Sequence, residues 1–202
     1  MRVLIACEFS GVVRDAFAAL GHDAWSCDLL PTERTGQHIQ GDVLDILDRE
    51  WDLMIAHPPC THLAVSGARW LTRHWVKKGN GGYWHDPTEK IRLQAEAVDF
   101  VKRIWALPIR MKCLENPISR LSTLWKKPTQ IIQPWQFGHG ETKATCLWLD
   151  GIAPLTPTKI VSGREARVHM LPPSPDRWKE RSKTYAGIAH AMAEQWGRRA
   201  AA

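Results

Sequence analysis

Long apolar runs are missing from this 202-residue chain. None approaches the roughly 20 residues of a membrane span, so no membrane partner is expected. Cysteine is sparse: five residues, an odd number, scattered singly with no CxxC pair. The opening MRVLIAC reads as a strand, not as a secretory leader. Together these exclude a disulfide framework and predict reduced thiols in a cytoplasm. Metal-ligand spacing is absent too. Cys60 and His62 form one short pair, and a zinc site needs further ligands at suitable spacing, so no metal is expected. Tyrosine is rare, two residues against eleven Trp. Core packing accounts for most of the tryptophans and base stacking for a few. No repeat or low-complexity segment appears. What is present is an ordinary globular composition, one domain over residues 1–202. The formal net charge of +6 favours a polyanionic partner, nucleic acid or nucleotide.

The stretch from Trp51 to Gly67, WDLMIAHPPCTHLAVSG, organises the rest. Asp52 to Ala56 has the apolar pattern of a strand buried on both faces. Pro58 and Pro59 cannot donate to a sheet ladder, so the chain must leave the sheet there. Cys60 follows directly, at the carboxyl end of a buried strand, where open α/β sheets hold their ligands. The chain begins in the same style. Arg2 to Cys7 is a strand, Glu8 to Gly11 a tight turn, and Val12 to Leu20 a helix stopped by Gly21. Helix amides at such a turn, beside a Cβ-free glycine, suit the approach of a ligand; a plain βα turn is the other reading.

His22 to Asp28 is a second strand ending in an acid, where nucleotide-binding α/β folds hold a ribose hydroxyl. A third strand, His38 to Gln40, precedes Gly41-Asp42 and an amphipathic turn through Leu47. Residues 66–86 interleave Trp70, Lys77, Lys78 and other basic and aromatic residues around the glycines 79–82. This predicts a mobile loop closing over an anion or base, or else a Trp-anchored surface loop. Pro87 to Leu107 is the longest helix, with Ile91, Ala95, Val98 and Val101 as its apolar face. Arg110 to Leu114 is a fifth strand that stops at Glu115-Asn116-Pro117. Parallel strands four and five would bring Cys60 and Glu115 to one crevice. Thr129 to Gln133 and Thr145 to Leu149 are further strands. An irregular excursion over about 151–182 and a helix from Thr184 to Trp196 complete the chain.

Phe9-Ser10-Gly11, Asp28, Gly41-Asp42, Pro58-Pro59-Cys60, Glu115-Asn116 and Tyr185-Ala186-Gly187-Ile188 stand in an order that resembles the cytosine-C5 DNA methyltransferases. The resemblance covers most of the chain. Pro-Pro-Cys after strand four and Glu-Asn-Pro after strand five are its specific parts. It implies a Rossmann-like S-adenosylmethionine-dependent methyltransferase fold: α/β, mostly parallel, with helices on both faces. It also implies methyl transfer to C5 of cytosine in DNA through a Cys60 adduct at C6, with Glu115 contacting N3 and the exocyclic amine. Phe9, Ser10, Gly11, Asp28, Asp42 and Pro58 would bind S-adenosylmethionine. Asn116 and Pro117 would shape the pocket around Glu115. Pro59, Ser66, Lys143, Thr145, Trp70, Lys77 and Lys78 would contact the substrate, and the segment after Cys60 would be the catalytic loop.

Some positions depart from the family pattern. Cys7 stands where an acid is usual, with Glu8 the nearest acid. Val13 replaces a second glycine, Thr61 follows the cysteine in place of glutamine, and Lys143 and Thr145 replace two arginines. The excursion is too short to form a separate target-recognition region, so little sequence readout is expected. Arg164, Arg167, His169 and Arg177 within it read as phosphate contacts or as solvated surface charges. Two alternatives stay open: C5 modification of a free pyrimidine nucleotide such as dCMP, and a non-catalytic nucleic-acid-binding relative.

Overall fold

A computed structural model describes residues 1–46 and 49–198. The chain runs β1 (Arg2–Ala6), α1 (Val12–Ala19), β2 (Asp23–Asp28), β3 (His38–Gln40) and β4 (Leu53–Ala56). It continues with the hairpin strands β5 (His74–Lys78) and β6 (Gly81–His85), then α2 (Thr88–Trp105), β7 (Met111–Pro117), α3 (Leu121–Leu124), β8 (Gln130–Ile132) and β9 (Thr145–Asp150). Three helices end it: α4 (Arg167–Met170), α5 (Arg177–Ser182) and α6 (Ala186–Trp196). The turn expected through Leu47 is a 3-10 helix over Val43–Ile46; Leu47 itself lies outside the described residues.

Seven strands form one mixed sheet in the order β3-β2-β1-β4-β7-β9-β8. The first five of these are mutually parallel, and β9 runs antiparallel to both β7 and β8. Alternation along the central strands explains the layers. Val3, Ile5, Leu53 and Ile55 share a core with Val13 and Phe17 of α1 and Ile188 and Met192 of α6. Leu4, Ala6, Met54 and Ala56 point the other way, into a core that includes Ile104 of α2. Both faces of the sheet are therefore covered by helices, as a parallel sheet requires.

The β1–α1 turn differs from its expected use. Glu8 is buried, and its carboxylate accepts the amides of Val13 (2.8 Å) and Arg14 (3.2 Å) and the Ser10 hydroxyl (3.1 Å). The α1 amides at this turn are thus committed to a side chain of the same chain. Gly11 has φ +70°, and a Cβ there would lie 2.5 Å from an Arg14 guanidinium nitrogen. Its glycine is required by backbone and by Arg14. Arg14, 1% exposed, donates to Asp15, Ser26, Thr32 and the carbonyls of Arg34 and Thr35. It fastens the polar loop between β2 and β3 onto α1.

Three further expectations need correction. In α2 the buried face includes Gln94, Val98, Val101 and Ile104, while Ile91 is 51% exposed. The helix is rotated because its first turns face the Cys60 loop: Lys90 donates to the Thr61 carbonyl (2.9 Å) and Gln94 to that of His62 (3.0 Å). The strand expected to stop at Leu114 runs on to Pro117. The segment 66–86, expected as a loop with a glycine hinge, is a 3-10 helix (Val65–Leu71) followed by the β5–β6 hairpin.

Replacing Glu8 by Ala orphans two amides and a hydroxyl. The expected cost is about 2–3 kcal/mol, since a hydrogen bond to a charged group contributes roughly 1.5–3 kcal/mol. Urea unfolding reads it against Leu20→Ala, at an exposed helix end, expected within about 0.5 kcal/mol of the parent.

Candidate active site

The strand order reverses between β1 and β4, which makes the space beyond their carboxyl ends the switch-point crevice. Two prolines build one wall of it. β4 pairs with β7 only as far as Ala56 opposite Leu114. The rigid Pro58-Pro59 corner then takes the chain out of the sheet. β7 carries on for three more residues because β9 holds it from the other side, with Glu115, Asn116 and Pro117 opposite Leu147, Cys146 and Thr145. Glu115 therefore stands on ordered strand, at an edge that β4 has vacated. Asn116 is buried and donates 3.1 Å to the Pro58 carbonyl, which ties the corner to the strand. After Cys60 the chain makes one helical turn, its carbonyl accepting the amides of Leu63 (3.0 Å) and Ala64 (2.9 Å).

A cavity of about 340 Å³ lies alongside. Cys7, Asp28, Gly41, Asp42, Pro59, Glu96 and Phe100 are among the residues that line it. Asp28 and Asp42 each give one carboxylate oxygen to a turn amide, that of Leu30 and that of Leu44 (both 2.9 Å). Burial pushes the Asp28 carboxyl up from its ordinary value. Cys7 sits in the left-handed region at φ 58°, a strained conformation for a residue with a side chain. Pro59 is the cavity wall, and the next residue is Cys60.

The Cys60 thiol is held neutral by its surroundings. Burial raises its pKa, and the nearby Glu115 carboxylate raises it further; Lys143 and Arg181 pull the other way. Glu115 is itself ionised. Burial is the strongest single influence on it and acts upward, but His57 and Lys143 together outweigh it and hold the carboxyl below its ordinary value. His57 Nδ1 lies 3.1 Å from Glu115 Oε2, with the two side chains 10% and 14% exposed. His57 Nε2 and Asn116 Oδ1 are buried with no hydrogen-bond partner among the described residues.

Lys143 closes the third side. Its ammonium donates 2.9 Å to the Lys183 carbonyl and lies 5.9 Å from the Tyr185 ring centre. Burial lowers its pKa, while Glu115 and Cys60 raise it. The docking of α6 sets this corner: a Cβ on Gly187 would lie 1.9 Å from the Phe137 carbonyl oxygen, so only glycine permits the close approach. The excursion folds back onto the site through α5. Trp178 packs on Phe9 (ring centres 5.8 Å), Lys183 pairs with Glu33 (2.9 Å), and Arg181 lies within electrostatic reach of Cys60 and Lys143.

The expected site residues fall into three groups. Cys60, Glu115 and Lys143 lie within electrostatic reach of one another. Asn116 is buried against the Pro58 carbonyl, and Pro117 ends β7 opposite Thr145. Asp28, Asp42 and Pro59 line the cavity. Phe9, Ser10, Gly11 and Pro58 are not among the cavity's lining residues: Phe9 faces Trp178, Ser10 bonds Glu8, Gly11 abuts Arg14, and Pro58 is buried. Thr145 is buried, its hydroxyl given to the Lys143 carbonyl (3.0 Å). Trp70 braces the hairpin through His74 and His85, Ser66 is exposed on the 3-10 helix, and Lys77 and Lys78 are exposed on β5. Sequence reasoning left His57 and Arg181 out of the site. His57 carried a signal, its place directly before Pro58-Pro59; Arg181 carried none. No family model matches the chain, and no curated protein matches it in sequence.

Two titrations test the electrostatics. Glu115→Gln removes a charge that raises the Cys60 pKa, so iodoacetamide labelling of Cys60, located by peptide mass, should reach its plateau at lower pH than in the parent. His57→Ala leaves burial opposed only by Lys143, so the Glu115 carboxyl should titrate higher by NMR. The depressed Glu115 pKa also fixes a sign. Its stabilisation is complete above the ordinary carboxylate value and is lost as pH falls through the folded-state value, a loss that should weaken in the His57 variant.

Proposed function

We propose that this protein transfers a methyl group from S-adenosylmethionine to C5 of cytosine in DNA, through a covalent bond between Cys60 and C6. The observation that carries the reading is the adjacency of two sites. The Cys60 thiol and the ionised Glu115 carboxylate lie within electrostatic reach of each other, and the cavity has Pro59, the residue directly before Cys60, in its lining. The switch point between β1 and β4 supports the finer fold assignment, a Rossmann-like S-adenosylmethionine-dependent methyltransferase.

The cavity fits the donor. Asp28 and Asp42 stand at the ends of β2 and β3, where each can accept hydrogen bonds from a nucleoside, and Phe100 adds an aromatic ring to the lining. When bound, S-adenosylmethionine supplies an electrophilic methyl group on a sulfonium. The rest falls to the chain's own side chains. Cytosine C5 is a poor nucleophile until a thiolate adds at C6 and its electrons move into the ring toward N3. The proton that the Cys60 thiol gives up is matched by one taken up at N3. Ionised Glu115 accepts hydrogen bonds from that N3–H and from the exocyclic amine, and the N3 proton returns to sulfur when the C6–S bond breaks. Neutralisation of Glu115 by that ring removes one of the influences that keep Cys60 protonated. Base entry and thiol activation are thereby coupled. Lys143 balances the negative charge passing between the two groups. After methyl transfer, loss of the C5 proton and breakage of the C6–S bond restore the aromatic ring and the thiol. In duplex DNA the base must leave the stack first, at a few kcal/mol.

Incubation with methyl-labelled S-adenosylmethionine and either DNA or dCMP tests the assignment. Label is expected in DNA cytosine, with Cys60→Ser inactive and donor binding retained. Label in dCMP alone would move the chemistry to free nucleotide; DNA binding without transfer to either substrate would leave a non-catalytic binding protein.

A further inference from the structure

The β5–β6 hairpin is an ordered ribbon, and its sequence has one marked property. From Leu53 to His85 the chain contains no Asp or Glu, while Arg69, Arg73, Lys77 and Lys78 fall within it. None of these four cations makes an ion pair among the described residues. The nearest acid along the chain is Asp86 at the foot of the hairpin, which lies within electrostatic reach of Arg73 but forms no ion pair with it; Lys77 and Lys78 at the far end have none among the described residues.

The register sorts the ribbon into two unlike faces. His74 pairs with His85 on the inner face, and both rings pack on Trp70 (5.1 and 4.9 Å between centres), which ties the hairpin to the 3-10 helix before it. Trp75 pairs with Trp84 on the outer face, followed by Lys77 opposite Gly82. The two indoles meet edge to face at 5.7 Å and are 53% and 59% exposed. Trp75 lies across Gly82, where a Cβ would come within 2.7 Å of its ring, and the Arg73 guanidinium sits 5.4 Å from the Trp84 centre. The indoles are thus locked in place before any partner arrives, with cations at both ends.

We infer that the outer face of this hairpin, Trp75 and Trp84 with Arg73 and Lys77, is a DNA-binding ribbon that holds the duplex while Cys60 works on the extruded base. A two-stranded ribbon of five residues per strand has the width to enter a major groove. Cations without ion-pair partners suit phosphates, and fixed apolar rings suit the thymine methyl groups exposed in a major groove. A protein partner is the poorer match, because lysine is depleted at protein interfaces, whereas this segment carries two lysines and two arginines with no acid from Leu53 to His85. The ribbon also supplies what the short excursion lacks, an element outside the base pocket to grip the substrate. The inference rests on the proposed function for its choice of DNA, but it stands on different residues.

Fluorescence anisotropy with the full chain and a labelled duplex, over a salt series, tests it. Arg73→Gln/Lys77→Gln should weaken binding and reduce the slope of log affinity against log salt by about 2, close to one for each phosphate that the variant no longer neutralises. Trp75→Ala/Trp84→Ala should weaken binding about tenfold or more at every salt, with the slope unchanged. The charge variant alters only exposed side chains, so it stands as a test even if the tryptophan variant loosens the hairpin. Affinity and slope equal to the parent in the charge variant would overturn the inference, as would loss of self-association in place of DNA binding. Methylation of DNA with parental affinity in both variants would overturn this inference alone. Hairpin-dependent DNA binding without methyl transfer to any substrate would overturn the proposed function alone.

Discussion

The site depends on two neighbouring strands that end at different heights. β4 leaves the sheet after Ala56 because prolines follow His57, while β7 continues to Pro117 because β9 pairs with it from the far side. The mismatch opens a notch at the carboxyl edge of the sheet. Cys60 overhangs it from the proline corner and Glu115 stands in it on strand. Asn116 pins the two together through the Pro58 carbonyl. A flexible corner would let thiol and carboxylate drift apart. Here both are fixed by backbone geometry, the form of preorganisation that keeps reacting groups in place.

Charge is arranged around the notch in a closed set. Glu115 keeps the thiol protonated, His57 and Lys143 keep Glu115 ionised, and Arg181 approaches from the folded-back excursion. Each of these groups is sensitive to its neighbour's protonation. A ligand that brings a proton donor to Glu115 changes the balance at Cys60.

The sheet was legible in the sequence because its central strands are short apolar runs bounded by glycine, proline or acid. The fully buried LMIA of β4 and its proline stop are the clearest case. The convergence of Cys60 and Glu115 followed from parallel neighbours alone. The hairpin was not legible. Its strands carry charge and aromatics in place of an apolar face, and its glycines read as a hinge although Gly82 serves to seat Trp75. The true face of α2 was hidden because Lys90 and Gln94 bury against a loop, a polar contact that periodicity cannot reveal. Arg14 and Arg181 were missed for the same reason: each is placed by distant residues of the chain, and no local pattern announces it.

The proposed function turns on a sulfur–carbon bond between Cys60 and a cytosine. DNA synthesised with 5-fluorocytosine examines it directly, because fluorine at C5 cannot leave as a proton does, and the ring is held on the enzyme after methyl transfer. With S-adenosylmethionine present, a protein–DNA species stable to denaturation should form, map to Cys60 by peptide mass, and vanish in Cys60→Ser. A methylated product with no such species, or an adduct on another residue, would contradict the account.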